Sequence, residues 1–436
     1  MEILLTILYS LLFIFLIYKL PFFKIEGFNW KSLTVVFILK IAAGLVMYFI
    51  YTYYYTDRST ADIFRYFDDS KVMYDALWKH PLDYIKMLTG IGNDSTYFDL
   101  YYKHMNNWYR VFESNIYNDS HTIIRFNAAL RLFSFGYFNV HTVFMCFLSL
   151  TGLVALYKFF VTYMSDRKRE LFFAVFLLPS VLFWGSGVLK EAILLFGMGM
   201  LLYNMDKLTR QKVNVWAIIW LLFSLLLLIY TKYYIFIIMV PLLVAFLWCK
   251  YTGNRLCLLK YAGVLVLYIL VGLNIHLIFP GYNMLEIIAQ KQNDFIGLAK
   301  EMHSGSLLTQ HLLQPDLLSM LRDAPFAFYN TLVRPYIFEA DSFLILFSAL
   351  ENLMIFAIIL LCIVFFRWRT PRLPVLFLCL FFFAGTYTLT GLTTPVMGAM
   401  VRYKVPAMPF LLIFFIMMLN KDKLCQKLPF FKKILG

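Results

Sequence analysis

The sequence predicts an all-α integral membrane protein with about eleven transmembrane helices and amphipathic helices outside the membrane. Its composition, the length of its apolar segments and the position of its basic loops support this prediction. Hydrophobic residues make up 61% of the 436 residues, against roughly 45–50% in soluble domains. The mean hydropathy is +0.72. The apolar segments approach the length of about 20 residues that a helix needs to cross a bilayer.

Short basic segments separate the apolar segments and predict the topology. Loops rich in lysine and arginine stay on the cytoplasmic side of a membrane. The N-terminus is therefore expected outside and the C-terminus in the cytoplasm. The basic segments are Lys19–Lys31, Arg167–Arg169, Lys207–Lys212, Lys250–Lys260, Arg367–Arg372 and Lys421–Lys433.

Eleven apolar segments are predicted to span the membrane. An odd number of spans agrees with the charge pattern, because it places every basic loop in the cytoplasm. The first segment lacks a basic start and a small-residue cleavage site, so a retained helix is expected rather than a signal peptide. The predicted spans are 2–20, 33–55, 140–163, 171–185, 188–205, 214–231, 234–249, 260–279, 342–366, 373–389 and 398–419.

Two long external loops, residues 56–139 and 280–341, are predicted between these spans. They are rich in acidic residues: ten of the 25 Asp and Glu residues lie within 56–120 and seven within 281–341. No repeat or flexible linker is visible. Residues 1–436 are therefore predicted to form a single polytopic membrane domain.

Apolar residues at helical spacing predict short amphipathic helices on the membrane surface within these loops. One such region is 70–90, which Pro81 should divide into two helices. The others are 123–138 and 284–302.

The net charge of +14 does not indicate a nucleic-acid partner. The positive charge is spread over the cytoplasmic loop ends, where it orients helices and meets anionic lipid. The six cysteines lie in apolar segments or at cytoplasmic ends, so no disulfides are expected. No Cys/His spacing resembles a zinc site, and no metal is predicted.

The first candidate catalytic group, Asp62, Asp68 and Asp69, follows the second predicted span. These carboxylates should lie near the bilayer edge, where one would act as a general base beside a lipid-borne substrate. Repulsion between adjacent carboxylates raises the pKa of one of them. The alternative interpretation is a solvated acidic loop.

The second group lies where one predicted span ends and the next begins. Gly185, Ser186 and Gly187 should let an anion approach the backbone N–H groups at the start of a helix. Lys190 adds a positive charge in the first turn, and Glu191 would pair with it or hold it in place. This pattern predicts a phosphate site, and the alternative is a tight turn with a snorkelling lysine.

The third group, Arg402 and Tyr403, begins the last predicted span at its outer end. The cytoplasmic charge rule does not explain Arg402, and a guanidinium can bind phosphate bidentately. Pro406 and Pro409 should bend this helix. Arg334 is a further candidate cation. The alternative interpretation is an interfacial Arg-Tyr anchor.

These motifs resemble bacterial polytopic glycosyltransferases of the GT-C superfamily, related to the dolichyl-phosphate-mannose and lipid A aminoarabinose transferases. The resemblance rests on the early acidic pair, the turn Pro-Ser-x-x-Phe-Trp-x-Ser-Gly-x-x-Lys-Glu and the closing helix Arg-Tyr-x-x-Pro-x-x-Pro-Phe. It covers the layout from about Leu33 to Leu419. Two features depart from the family: an extra first span, and the lack of a large soluble C-terminal domain, so an oligosaccharyltransferase-like role is not expected.

The resemblance implies a GT-C-like fold in a bacterial inner membrane and a polyprenyl-phosphate-linked sugar donor. It also implies transfer to a glycan or lipid-linked acceptor at the non-cytoplasmic face, without a cofactor. The base would be Asp62, Asp68 or Asp69.

The leading hypothesis is an inverting, metal-independent glycosyltransferase. Lys190, the N–H groups at Gly185–Gly187 and Arg402 would stabilise the departing phosphate, and membrane lipids would surround the donor tail. The candidate aromatic residues for the sugar site are Tyr66, Trp78, Tyr97, Trp108 and Tyr109, although anchoring at the membrane interface is the simpler interpretation for most of them.

Three alternative functions remain open at this point, and one of them is a non-enzymatic membrane scaffold, which would leave Lys190 and Arg402 unexplained. An O-antigen-type polymerase or ligase also handles lipid-linked glycans outside. Several external arginines would favour it, but only Arg125, Arg131, Arg334 and Arg402 stand out. A lipid-linked-glycan flippase or transporter should have ionisable residues at mid-membrane and repeated halves. Away from the predicted sites, only Lys40 and Glu351 lie well inside a span.

Overall fold

The computed structural model describes residues 1–109, 117–210, 214–301, 306–308, 310–367 and 372–435, with side chains as far as residue 432. The described residues form helices, with isolated β-bridges and no strand. In chain order the α-helices are α1 Glu2–Lys19, α2 Trp30–Phe49, α3 Asp62–Lys79, α4 Pro81–Thr89, α5 Asp99–Tyr102, α6 Ser120–Ser134, α7 Phe138–Tyr163, α8 Lys168–Phe176, α9 Pro179–Trp184, α10 Lys190–Arg210, α11 Val215–Thr231, α12 Tyr233–Thr252, α13 Cys257–Asn274, α14 Met284–Glu301, α15 Leu317–Val333, α16 Phe343–Val364, α17 Leu373–Thr393, α18 Met397–Tyr403, α19 Met408–Met418, α20 Lys421–Lys427 and α21 Phe430–Leu435.

Eight of the described helical segments are long and apolar enough to cross a membrane. They are α1, α2 with its π-helical extension to Tyr54, α7, α12, α13 with its 3₁₀ extension to Leu277, α16, α17, and α18 with α19. A multi-pass helical membrane protein is thus the architecture that length and composition support.

The predicted count of eleven spans is not confirmed, because the other three segments differ from simple spans. Val215–Thr231 is apolar but only 17 residues long. Lys190–Arg210 has 21 residues but carries charged residues at both ends. The predicted span 171–185 is divided between α8 and α9. Pro179 begins α9, since proline fits the first turn of a helix but not its interior.

The chain folds into two units. The first comprises the described residues of 1–109, 117–168 and 175–233, and the second those of 169–174 and 234–436. In the first unit, α7 and α10 approach closely through glycines: a Cβ on Gly199 would overlap the carbonyl oxygen of Gly152. Small residues allow such close packing between membrane helices.

Helices α3, α4 and α6 of the first unit follow the predicted amphipathic pattern. α3 and α4 meet at Pro81, as expected, although α3 begins at Asp62, well before the predicted start. α3 buries apolar residues such as Ile63, Phe67 and Met73. The Tyr84 hydroxyl donates to the carbonyl of Ala128 at 3.2 Å, which ties α4 to α6. These contacts fix the helices that carry the candidate acidic residues.

In the second unit, the closing helix is interrupted as its prolines predict. α18 ends at Tyr403, a 3₁₀ turn covers Val405–Ala407, and α19 begins at Met408. The buried Lys404 lies at the interruption. α14, Met284–Glu301, matches the amphipathic helix predicted over 284–302.

Candidate functional site

Lys190 is the first residue of α10 and is almost fully buried, with 5% of the residue exposed. Its Nζ is 2.9 Å from a carboxylate oxygen of Asp119 and donates to the hydroxyl of Ser120 at 3.2 Å. The same ammonium lies over the ring of Tyr66, 5.0 Å from its centroid. A cation–π contact of this kind is strongest where water is excluded.

Two further charges join this group. Asp62, the first residue of α3, attracts the Lys190 ammonium electrostatically. The Nζ of Lys232, which is also buried, lies 4.0 Å from Asp119. Asp62, Tyr66, Asp119, Lys190 and Lys232 are called the Lys190 cluster below. The cluster combines two carboxylates with two lysines, so it offers both proton acceptors and anion contacts.

Asp68 and Asp69 have different environments although they are adjacent. Asp68 accepts two hydrogen bonds from the guanidinium of Arg58, at 2.7 and 2.8 Å, on an exposed surface. Asp69 is buried and accepts the backbone N–H groups of Asn106 and Asn107 at 2.7 and 2.8 Å. It also accepts the Asn106 side-chain amide at 3.1 Å. Burial raises the pKa of Asp69 despite these bonds. Asp69 therefore anchors the loop at 106–107.

The amide donors expected to hold phosphate are partly used within the chain. The N–H of Gly185 donates to the Val181 carbonyl at 3.2 Å, and that of Ser186 donates to Phe183 at 3.1 Å. A Cβ on Gly187 would overlap the sulfur of Met47 in α2. The glycines thus let the turn pack against a membrane-spanning helix.

Lys40 lies in α2 beside this turn and is fully buried, with 0% exposure. Its Nζ is 3.0 Å from the position that a Cβ on Gly185 would occupy. The ammonium finds no hydrogen-bond partner among the residues that the structure describes. A buried charge without a partner is unfavourable. Lys40 is therefore a buried cation without a hydrogen-bond partner in the part of the chain that the structure describes.

A stacked aromatic column holds the loop that precedes α6. The Trp108 ring lies between Tyr102, at a centroid distance of 4.1 Å, and His121, at 3.8 Å. His121 Nε2 is also 2.8 Å from the Trp108 carbonyl oxygen. Both faces of Trp108 are covered, so this indole supports the loop rather than presenting a face to a sugar.

The other predicted aromatic residues lie in different settings. Tyr97 donates to the Asp83 carboxylate at 2.8 Å, and Tyr109 donates to Asp99. Trp78 is 72% exposed on α3. Of the five aromatic residues, only Tyr66 belongs to the Lys190 cluster.

Arg402, Tyr403 and Arg334, which the sequence predicts as contacts to the donor phosphate, belong to the second unit. The Tyr403 carbonyl accepts a hydrogen bond from the Tyr234 hydroxyl at 3.2 Å. Arg334 Nε lies 3.5 Å from Glu339. Arg402 is half-buried on α18.

Lys404, a buried cation of the same unit, contacts the end of α15. Its Nζ donates to the carbonyls of Thr331 and Arg334 at 3.2 and 3.1 Å and to the Asn352 side chain at 3.0 Å. Because α15 ends at Val333, these bonds satisfy carbonyl groups at the end of a helix. Lys404 thus has a structural role.

The structure brings together Asp62 and Lys190 of the predicted site residues and leaves Asp68 and Asp69 in separate contacts. Sequence reasoning missed Asp119 as the partner of Lys190, and its only local signal is its position directly before helix α6. Glu191 is buried on α10. Among the described residues, no group of three or more His, Cys, Asp or Glu side chains is arranged to hold a metal ion. No known protein family, curated protein or solved structure matches this chain.

Proposed function

We propose that this protein is a membrane glycosyltransferase that moves a sugar from a polyprenyl-phosphate donor to an acceptor hydroxyl. The Lys190 cluster is the proposed active site. A carboxylate of the cluster takes the proton of the acceptor, whose oxygen attacks the anomeric carbon from the face opposite the leaving phosphate. Lys190 stabilises the negative charge that develops on that phosphate.

The observation that carries the proposal is the burial of Lys190 between Asp119 and Tyr66. A cation in a water-poor site interacts more strongly with an incoming phosphate than a surface lysine does. The phosphate would compete with Asp119 for the ammonium. Donor binding would then release the Asp119 carboxylate, with Lys232 as its nearby counter-ion.

Asp62 and Asp119 are the proposed candidates for the base. Both lie near Lys190, whereas Asp68 is held by Arg58 and Asp69 by the amides of the 106–107 loop. The amides of Gly185 and Ser186 are left out of the proposed phosphate site, because they already donate to carbonyls of α9. Arg402, Tyr403 and Arg334 belong to the second unit, and the proposal for the Lys190 cluster does not depend on them.

The test is a transfer assay in proteoliposomes that contain the purified protein. A panel of radiolabelled polyprenyl-phosphate hexoses and pentoses serves as donor, and a membrane glycolipid fraction serves as acceptor. Asp62→Asn or Asp119→Asn should reduce transfer by roughly 10²–10⁴-fold, the usual range for loss of a general base. Asp68→Asn is the matched control and should keep near-normal transfer.

Two results would reject the proposal. One is that the wild-type protein transfers label from no donor of the panel. The other is that Asp62→Asn and Asp119→Asn both transfer at the wild-type rate.

A second candidate function, movement of a lipid-linked glycan across the membrane, is favoured by Lys40. An ionisable residue buried in a membrane helix is typical of transport pathways. The test is the translocation of a fluorescent polyprenyl-diphosphate glycan in proteoliposomes, measured by quenching from outside. Transport predicts translocation that Lys40→Met slows and Leu39→Met does not. Sugar transfer without translocation would reject this candidate.

A further inference from the structure

Two cysteines of the second unit lie against each other where α12 turns into α13. The Sγ atoms of Cys249 and Cys257 are 3.0 Å apart. Non-bonded heavy atoms rest at roughly 3.5–4.0 Å, and a disulfide bond is about 2.05 Å long. The two sulfurs are therefore about 1 Å from bonding distance, although both cysteines are free thiols.

The turn between the helices explains how these sulfurs meet. Gly253 and Leu256 both have left-handed backbone conformations, with φ of +81° and +57°. This reversal brings Cys257, the first residue of α13, back to Cys249 near the end of α12. Lys260 Nζ donates to the Thr252 hydroxyl at 2.7 Å and to the Gly253 carbonyl at 2.8 Å, which holds the turn.

We propose that Cys249 and Cys257 form a reversible disulfide that links the ends of α12 and α13. Hydrogen peroxide is the proposed oxidant. One thiol attacks the peroxide and becomes a sulfenic acid with release of water. The second thiol attacks the sulfenic sulfur, the S–S bond forms, and a second water leaves. Peroxide accepts the two electrons, and both thiol protons end in water.

Burial restricts the chemistry to a small oxidant. Cys249 and Cys257 are 0% and 2% exposed, so a protein thiol cannot reach them in the folded state without local opening. The contact between the sulfurs offsets this restriction, because the resolving thiol is already in place when the first one is oxidised. The sequence alone led us to expect no disulfide.

The disulfide would link the ends of α12 and α13, and α13 is itself tied to the start of α17. The hydroxyl of Tyr261, one turn after Cys257, donates to the Pro374 carbonyl at the start of α17 at 2.8 Å. Tyr261 is fully buried, so this bond couples α13 to α17. Oxidation would add the end of α12 to this pair and restrict movement of the α12–α13 turn.

The test is a count of free thiols by intact mass. Detergent-purified protein is treated with hydrogen peroxide, quenched with catalase, then denatured and alkylated with N-ethylmaleimide. The six cysteines should give six adducts before oxidation and four afterwards, and reductant should restore six. Peptide mapping should find the 249–257 linkage.

Two single variants sharpen this test. Cys257→Ser should leave Cys249 as a sulfenic acid that dimedone captures, with no internal disulfide. Cys379→Ser, which removes a buried cysteine of the same unit, should still lose two thiols on oxidation. The proposal is overturned if Cys249 and Cys257 both remain alkylated at a peroxide concentration that oxidises Cys425, or if mapping finds a different pairing. The wild-type map decides the matter even where a variant fails to fold.

Discussion

The Lys190 ammonium lies 2.9 Å from a carboxylate oxygen of Asp119, which precedes it in the chain by more than 70 residues. The lysine side chain is 7% exposed and the aspartate side chain 25% exposed. Loss of the ion pair should therefore be more costly for the buried lysine than for the partly exposed aspartate. Removing the aspartate leaves a buried charge with fewer compensating groups, whereas removing the lysine leaves a carboxylate that water can reach.

This asymmetry predicts the order of two stability losses. Asp119→Asn should lower the free energy of unfolding by up to the ~3–5 kcal/mol that breaking a buried pair costs. The loss should be smaller for Lys190→Met, which removes the buried charge itself. Thermal melting of both variants in one detergent checks the order. Equal melting temperatures for Asp119→Asn and the wild type would contradict it.

Asp69 and Asp68 provide a second comparison. Asp69→Ala leaves two backbone N–H groups of the 106–107 loop without their acceptor, so a loss of ~1–3 kcal/mol is expected. Asp68→Ala breaks an exposed ion pair with Arg58 and should cost less than about 1 kcal/mol. Thermal unfolding of both variants measures the difference. A larger loss for Asp68→Ala would show that our assignment of these environments is wrong.

The pKa of Asp69 also predicts a pH dependence. Burial raises this pKa above its ordinary value of 3.8, so the folded state binds the proton more tightly than the unfolded state does. The contribution of Asp69 to the free energy of unfolding should increase as the pH falls through the raised pKa towards 3.8. Asp69→Asn cannot titrate. The melting temperature of the wild type should therefore rise relative to this variant on acidification, and a relative fall would contradict the sign.

Lys40→Met should stabilise the protein. The substitution removes a fully buried ammonium that has no hydrogen-bond partner among the described residues and keeps a flexible chain of similar length. A gain on the order of 1–4 kcal/mol is expected, by comparison with the range seen when buried ion pairs are replaced by apolar residues. Leu39 is the neighbouring residue on the exposed side of α2, so Leu39→Met is the control substitution. Destabilisation by Lys40→Met would mean that the ammonium serves a stabilising contact.

Local sequence patterns predicted much of the helical architecture. Pro81 divides α3 from α4, the prolines of the last span interrupt it after Tyr403, and α14 matches its predicted range closely. Each of these features depends on residues within a few positions of one another. Proline geometry and helical periodicity are local, so they can be read from one sequence.

The candidate site was harder to predict because it depends on long-range contacts. Asp68 and Asp69 share one local sequence, yet one faces Arg58 and the other the amides of Asn106 and Asn107. Nothing near Asp119 in the sequence points to Lys190. The Gly185 turn was recognised, but its packing against α2 was not, since that depends on which helices are neighbours.

The most direct test of the central claim is the binding of a polyprenyl phosphate to the purified protein in nanodiscs. Equilibrium titrations of the wild type and Lys190→Met are compared, with melting temperatures confirming that both are folded. If Lys190 holds the donor phosphate, Lys190→Met should weaken binding at least tenfold, which corresponds to about 1.4 kcal/mol. Lys71→Met, which removes an exposed lysine paired with Asp75, should bind normally. Wild-type affinity in a folded Lys190→Met protein would contradict the proposed phosphate site.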